Sequence, residues 1–251
     1  MPVAADPAAG LWRLSWPRQP ASGQAGTRLG RAAGASLEFL DTRDYVVGDD
    51  LRHVDWRAYA RTDQLRVRLF REEVAPALDV VLDTSASMAV TAAKAAATDA
   101  LRAAFVFWGE RGGARPRVYE TPDLAPRTPL RRDGVRVVLS DFLRPDDPQP
   151  TITRLATGAA LLVVVQVLDP WELAPTADGA LALVDCESSQ RVELVLDEAA
   201  VARYRERLAR LCAGLVTATR RVGGRCATLA AAPLAEMCRG GLLPAAIVEA
   251  A

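Results

Sequence analysis

The sequence predicts an α/β fold: a mostly parallel sheet covered by helices on both faces, with an N-terminal extension before it. Three observations predict this. Apolar runs at residues 78–82, 135–139 and 161–168, each broken by a single polar residue (Asp79, Arg136, Gln166), read as strands buried on both faces. Val90, Ala97, Leu101, Phe105 and Trp108 recur at helical spacing after the first run. Each run leads into an aspartate (Asp83, Asp141 after Ser140, Asp169), at the carboxyl end of a strand, where open α/β sheets hold their ligands.

In chain order, residues 1–35 are rich in Ala, Gly, Pro and Arg, with Trp12 and Trp16 as the only large anchors. They are expected to form a poorly ordered arm that docks through the tryptophans. Residues 36–76 form a charged and aromatic extension. Gly48-Asp49-Asp50 is a turn signal, and residues 65–70 alternate apolar and basic as a half-exposed strand does. Arg and Asp crowd around Tyr45, Trp56 and Tyr59, which suggests a partly buried ion network; a solvated surface with scattered pairs is the alternative. Residues 77–251 form the main domain. Its first strand, 77–82, leads into a helix ended by the glycines at 109–113. A short strand at 117–120 and a Pro-rich loop follow, then the strands at 135–139 and 161–168. A hairpin at 180–184 and 192–196 turns around Ser188-Ser189. A helix carrying Val201, Tyr204, Leu208, Leu211 and Leu215, a last strand at 225–229 and a short helix from Pro233 complete the order.

The chain has 251 residues, 50% hydrophobic and 25% charged, the balance of a globular protein. Lys plus Arg and Asp plus Glu number 31 each, so no broad nucleic-acid surface is expected. Four cysteines without a C-x-x-C pair, and the single histidine His53, argue against structural zinc. No basic start precedes an apolar core, and the longest apolar run, 155–168, is too short to span a bilayer. A cytoplasmic protein without a membrane span is expected.

The motif that carries chemistry is Asp83-Thr84-Ser85-Ala86-Ser87. A carboxylate and two hydroxyls at alternate positions past a strand place three hard oxygens on one side of a tight loop, a set that suits Mg²⁺ or Mn²⁺. The competing reading is that these residues cap the helix that follows. Asp169 before Pro170 reads more simply as a turn residue, and His53 as packed or hydrogen-bonded. Asp55, Trp56 and Arg57 read as structural or interfacial.

This Asp-x-Ser-x-Ser loop resembles the metal-ion-dependent adhesion site of von Willebrand factor A domains. Upstream, Ser36-x-Glu38-Phe39, Arg43-x-Tyr45, Gly48-Asp49-Asp50-x-Arg52, Val54-Asp55-Trp56-Arg57, Ala60-Arg61 and Phe70-Arg71-Glu72-Glu73 occur in an order similar to the DUF58 family. The segments 138–142, 167–172 and 184–188 are also similar to it, and the resemblance spans about residues 28–245. It implies a von Willebrand A-like fold, metal ligands at Asp83, Ser85 and Ser87, and Asp141 acting through water. The threonine that completes such sites has Thr128 as its best match, with Thr121 behind it. The spacing of 58 residues between Asp83 and Asp141 (141 − 83) is short for the family, as if a strand and a helix of the middle region were reduced.

The resemblance further implies a non-enzymatic, chaperone-like adaptor. Its metal would grip an acidic residue of a protein partner, and it would work with a MoxR-type AAA+ ATPase on a client. No Gly-x-x-x-x-Gly-Lys-Ser/Thr is present for ATP hydrolysis by the chain itself. One alternative is a metal-dependent hydrolase or phosphatase with Asp83 as nucleophile. Against it, position 85 is Ser, and the only lysine, Lys94, falls inside the helix, where none is available for a phosphoryl group. The other alternative is a scaffold with a degenerate metal site.

Overall fold

The structure is a computed structural model that describes residues 6–17, 37–72, 76–176, 179–186 and 189–251, with the side chains of 37–40 and 69–72 outside that description. The chain divides into two compact units, residues 1–18 with 76–251, and residues 19–75.

The larger unit begins with a 3₁₀ turn, Pro7–Leu11, and strand β1, Trp12–Leu14. In the smaller unit, β2 (Leu37–Asp44) pairs antiparallel with β3 (Arg66–Glu72), and helix α1 (Trp56–Thr62) lies between them in sequence. The Asp55 side chain caps α1 by accepting from the N–H groups of Arg57 and Ala58. The crowded charges form ion pairs Arg43–Asp49, Arg52–Asp50 and Arg68–Asp55 at 2.6, 2.7 and 3.0 Å. The Arg52 guanidinium holds the Asp50 carboxyl down to about 2. Trp56 is 55% exposed and meets Tyr59 edge-on, so the network is a surface one rather than a buried one.

The larger unit resumes with β4 (Ala77–Asp83), α2 (Ala92–Arg111), β5 (Arg115–Thr121), β6 (Val135–Ser140), α3 (Gln149–Ala156) and β7 (Leu161–Leu168). Then come α4 (Pro170–Leu173), the hairpin β8 (Gly179–Val184) and β9 (Arg191–Leu196), α5 (Glu198–Arg221), β10 (Arg225–Ala230), α6 (Leu234–Met237) and β11 (Val248–Ala250). Five strands form one parallel sheet in the order β10-β7-β6-β4-β5. Every residue of β6 and β7 is buried, which is why these strands read as apolar runs broken only by Arg136, Ser140 and Gln166.

Helix α2 packs on one face through Leu101, Phe105 and Trp108, against Leu78, Val80, Val137 and Val163. Gly109 permits a close approach: a Cβ there would lie 2.4 Å from Leu78 Cδ2. Helices α3 and α5 cover the other face through Ile152, Leu155 and Leu215 over Val81, Val138 and Val164. The result is a helix-covered parallel sheet of Rossmann-like type.

Part of the expected N-terminal arm belongs to this unit. β1 pairs antiparallel with β11, Trp12 and Leu14 are buried, and Trp108 Nε1 donates to Ala9 O at 2.8 Å. Buried apolar side chains and strand pairing thus hold residues 6–17 to the sheet unit. Residues 18–36, and Ser188 of the expected hairpin turn, lie outside the described residues.

The chain leaves β4 toward β5 at one edge, then crosses back to β6 and builds outward through β7 and β10. The winding reverses between β4 and β6. Asp83 ends β4, and Asp141 directly follows β6, so the fold brings both aspartates to the reversal point, where such sheets open a crevice.

Candidate metal centre

The first loop is built by main-chain geometry. β4 ends on Asp83, and the chain turns through a short 3₁₀ segment, Ala86–Ala89. Asp83 is buried; its Oδ1 accepts the Ser85 N–H at 2.9 Å and its Oδ2 accepts the Ser140 hydroxyl at 2.6 Å. The Ser85 and Ser87 hydroxyls, both half-buried, stand 3.1 Å apart, one donating to the other. Neither has the capping job that competed with the metal reading. Ser85 makes no side-chain cap to the 3₁₀ segment, and α2 is capped by Thr91, whose Oγ1 accepts the Lys94 N–H.

The second half of the site departs from expectation. Lys94 points inward: it is wholly buried, and its Nζ donates to Asp141 Oδ2 and Glu172 Oε1, both at 2.9 Å. Lys94 does lie inside the helix, in its first turn, but its side chain reaches the strand ends rather than the helix surface. Lys94 lies seven residues before Leu101 and eleven before Phe105, on the same apolar stripe, so the helix aims its stem along the sheet toward the strand ends. A buried ammonium requires fixed counter-charges, and Asp141 and Glu172 supply them.

The other carboxyl oxygens are also engaged. Asp141 Oδ1 accepts the Leu143 N–H at 3.1 Å. Glu172 Oε2 accepts the Asp169 N–H at 2.6 Å, and Asp169 Oδ1 accepts the Trp171 N–H at 2.8 Å, forming a capping box on α4. Asp169 is therefore a helix cap as well as a strand-end residue; its Oδ2 accepts the Thr91 hydroxyl at 2.7 Å. Behind Asp141, the buried Gln166 amide donates to its main-chain oxygen at 2.8 Å. Phe142, next to Asp141, has φ of 49°, a left-handed backbone for a bulky residue.

The threonine candidates fall at opposite ends of the sheet. Thr128 is exposed and lines a pocket of about 340 Å³ with Arg136, Arg154 and Thr157. Arg136 is the second residue of β6, and its guanidinium, pKa lowered by burial, donates to the carbonyls of Leu155, Thr157 and Arg131. Thr128 is thus separated from Asp141 by the length of β6 and is not brought to the other candidates. Thr121 is: it ends β5 in register with Asp83, is buried, and donates its hydroxyl to Asp123 Oδ1.

A divalent cation fits the first loop and not the whole expected set. Asp83, Ser85 and Ser87 are the hard oxygens of the first loop, the two hydroxyls 3.1 Å apart, whereas Asp141 faces an ammonium and the Thr121 hydroxyl is donated elsewhere. Among the described residues, no three His, Cys, Asp or Glu side chains converge as a metal set. The network around Lys94 joins three carboxyl groups (Asp141, Asp169, Glu172) to the single ammonium, a formal −2, and Asp83 stands apart from it, bonded to Ser140 next to Asp141. That imbalance favours a further cation.

Sequence reasoning missed Lys94, Glu172, Ser140 and Thr91. Two of these had a signal: a lone lysine on an apolar helical stripe, and the Asp169-x-x-Glu172 spacing of a capping box.

A family model described as "Protein of unknown function DUF58" matches residues 41–118 and 123–214. The chain belongs to the DUF58 family. The matched segments include most of the described smaller unit and, in the larger one, β4, β6, β7 and the strand-end loops, so this DUF58 chain carries both parts of the family pattern. Uncharacterized proteins of Mycobacterium bovis and Mycobacterium tuberculosis are 28% identical to it over 217 residues, covering 69% of this chain and 68% of theirs. No solved structure gives a significant match. No helix among the described residues is long and apolar enough to cross a membrane.

Proposed function

We propose that this DUF58 chain is a non-enzymatic, metal-dependent protein-binding adaptor with a von Willebrand A-like domain, working with a MoxR-type AAA+ ATPase in the remodelling or maturation of a client. The observation that carries the reading is the half-buried pair of hydroxyls, Ser85 and Ser87, 3.1 Å apart beside Asp83 at the point where the sheet reverses its winding. Asp83, Ser85 and Ser87 would hold Mg²⁺ or Mn²⁺, and the bound ion would supply an open coordination position for a partner's carboxylate. The chain's own residues do the rest. Ser140 and the Ser85 main chain fix the Asp83 carboxylate, and Lys94 fixes Asp141 beside it. A cytoplasmic location agrees with a MoxR-type partner.

The hydrolase reading has less support. Both Asp83 oxygens already accept hydrogen bonds, and the one lysine is buried in two ion pairs. The reading as a scaffold with a degenerate site is favoured by one observation, the ammonium on Asp141.

The test is a pull-down from native lysate with wild type and Asp83→Ala, each with Mg²⁺ or EDTA. Recovery of an AAA+ ATPase by wild type in Mg²⁺ alone supports the adaptor. Recovery indifferent to metal and substitution leaves the scaffold. Turnover of p-nitrophenyl phosphate that Asp83→Ala abolishes would return the chain to the hydrolases.

A further inference from the structure

We infer that Lys94 is a built-in cation of the strand-end site, holding Asp141 and Glu172 where a metal ion would otherwise hold them. A divalent ion is then left the Asp83, Ser85 and Ser87 half alone. This rests on the metal reading of the first loop and narrows it.

Several observations converge. Lys94 is the only lysine of the chain, and it is 0% exposed. It reaches two carboxylates on two other elements, one after β6 and one on α4. The second oxygen of each accepts a main-chain N–H, so each carboxylate has a fixed donor on both oxygens. Lys94 stands in the first turn of α2, where the helix dipole disfavours a cation. The helix therefore gains nothing from its charge, and the carboxylates account for it. Thr91 closes the network, accepting the Lys94 N–H and donating to Asp169.

The functional consequence concerns loop order. In a site held by metal alone, losing the ion frees every carboxylate. Here the β6 and α4 loops stay tied to α2 whatever happens at the first loop. A metal can enter or leave the outer half while the surface around it keeps its shape.

The experiment is Mn²⁺ titration of the full chain by calorimetry, with melting temperature as a second readout, for wild type, Asp83→Ala, Asp141→Asn and Lys94→Met. If Lys94 already owns Asp141, Asp141→Asn binds Mn²⁺ as wild type does, while Asp83→Ala does not bind. Lys94→Met, with a unit positive charge gone and two carboxylates released, binds roughly tenfold more tightly or better. Loss of Mn²⁺ binding in Asp141→Asn overturns the inference, as does a folded Lys94→Met with no gain. Should Lys94→Met fail to fold, Asp141→Asn decides. If wild type binds no Mn²⁺ and Lys94→Met does, the inference stands and the metal-dependent reading of the native chain falls. If no variant binds, both fall.

Discussion

Replacing Lys94 with methionine removes a charge while keeping most of the apolar stem, so its cost reports the buried ion triad. Two hydrogen bonds of 2.9 Å disappear, each to a carboxylate. Charge-assisted bonds contribute about 1.5–3 kcal/mol apiece, giving about 3–6 kcal/mol. Removing one partner of a buried ion pair independently suggests ~3–5 kcal/mol, because Asp141 is left buried and Glu172 only 15% exposed. The two figures agree, and against a total of about 5–15 kcal/mol the loss is large. The assay is urea unfolding followed by far-ultraviolet circular dichroism in EDTA, so that no metal replaces the ammonium. With a slope of about 2–3 kcal/mol per molar, the midpoint falls by about 1–3 M. The triple variant Lys94→Met, Asp141→Asn, Glu172→Gln recovers much of the loss, since no unpaired charge remains. A loss below about 1 kcal/mol for Lys94→Met refutes the triad as a buried, paired structure.

Three further outcomes are expected. Trp56→Ala changes stability by less than about 1 kcal/mol in the same unfolding assay, because the side chain is more exposed than buried; a larger loss would mean that it is packed. Burial pushes the Cys226 thiol up to about 11 and Cys238 up to about 12, while Cys186 is exposed. At pH 8 a disulfide reagent therefore labels Cys186 quickly, and Cys226 and Cys238 only after denaturant is added; equal rates in the native protein would contradict the burial. The Asp50 carboxyl is lowered from 3.8 to about 2 by Arg52, so its pairing contributes above pH 4 and is lost as pH falls toward 2. Its nuclear magnetic resonance titration shows a midpoint near 2 that moves up toward 4 in Arg52→Ala, and an unmoved midpoint would separate Asp50 from Arg52.

The strand runs at 78–82, 135–139 and 161–168 were legible because burial on both faces of a parallel sheet leaves no polar alternation. The helix of Leu101, Phe105 and Trp108 was legible because one face meets the sheet. The loop from Asp83 to Ser87 was legible because it is local: Asp83 accepts the Ser85 N–H, and the Ser85 and Ser87 hydroxyls stand 3.1 Å apart. Residues 6–17 were not, since their burial depends on β11, more than 230 residues away in sequence. Thr128 outranked Thr121 by motif similarity alone, whereas strand register, which no motif records, brings Thr121 to the level of Asp83.

The sequence by itself determined the parallel α/β class, the family and the oxygen-bearing first loop, all of which depend on short-range periodicity and local order. Only the tertiary structure decided that Lys94, 47 residues from Asp141 and 78 from Glu172, meets both. A buried charge finds its partners through the packing of separate elements, and no local pattern records which carboxylates that packing will bring within 3 Å.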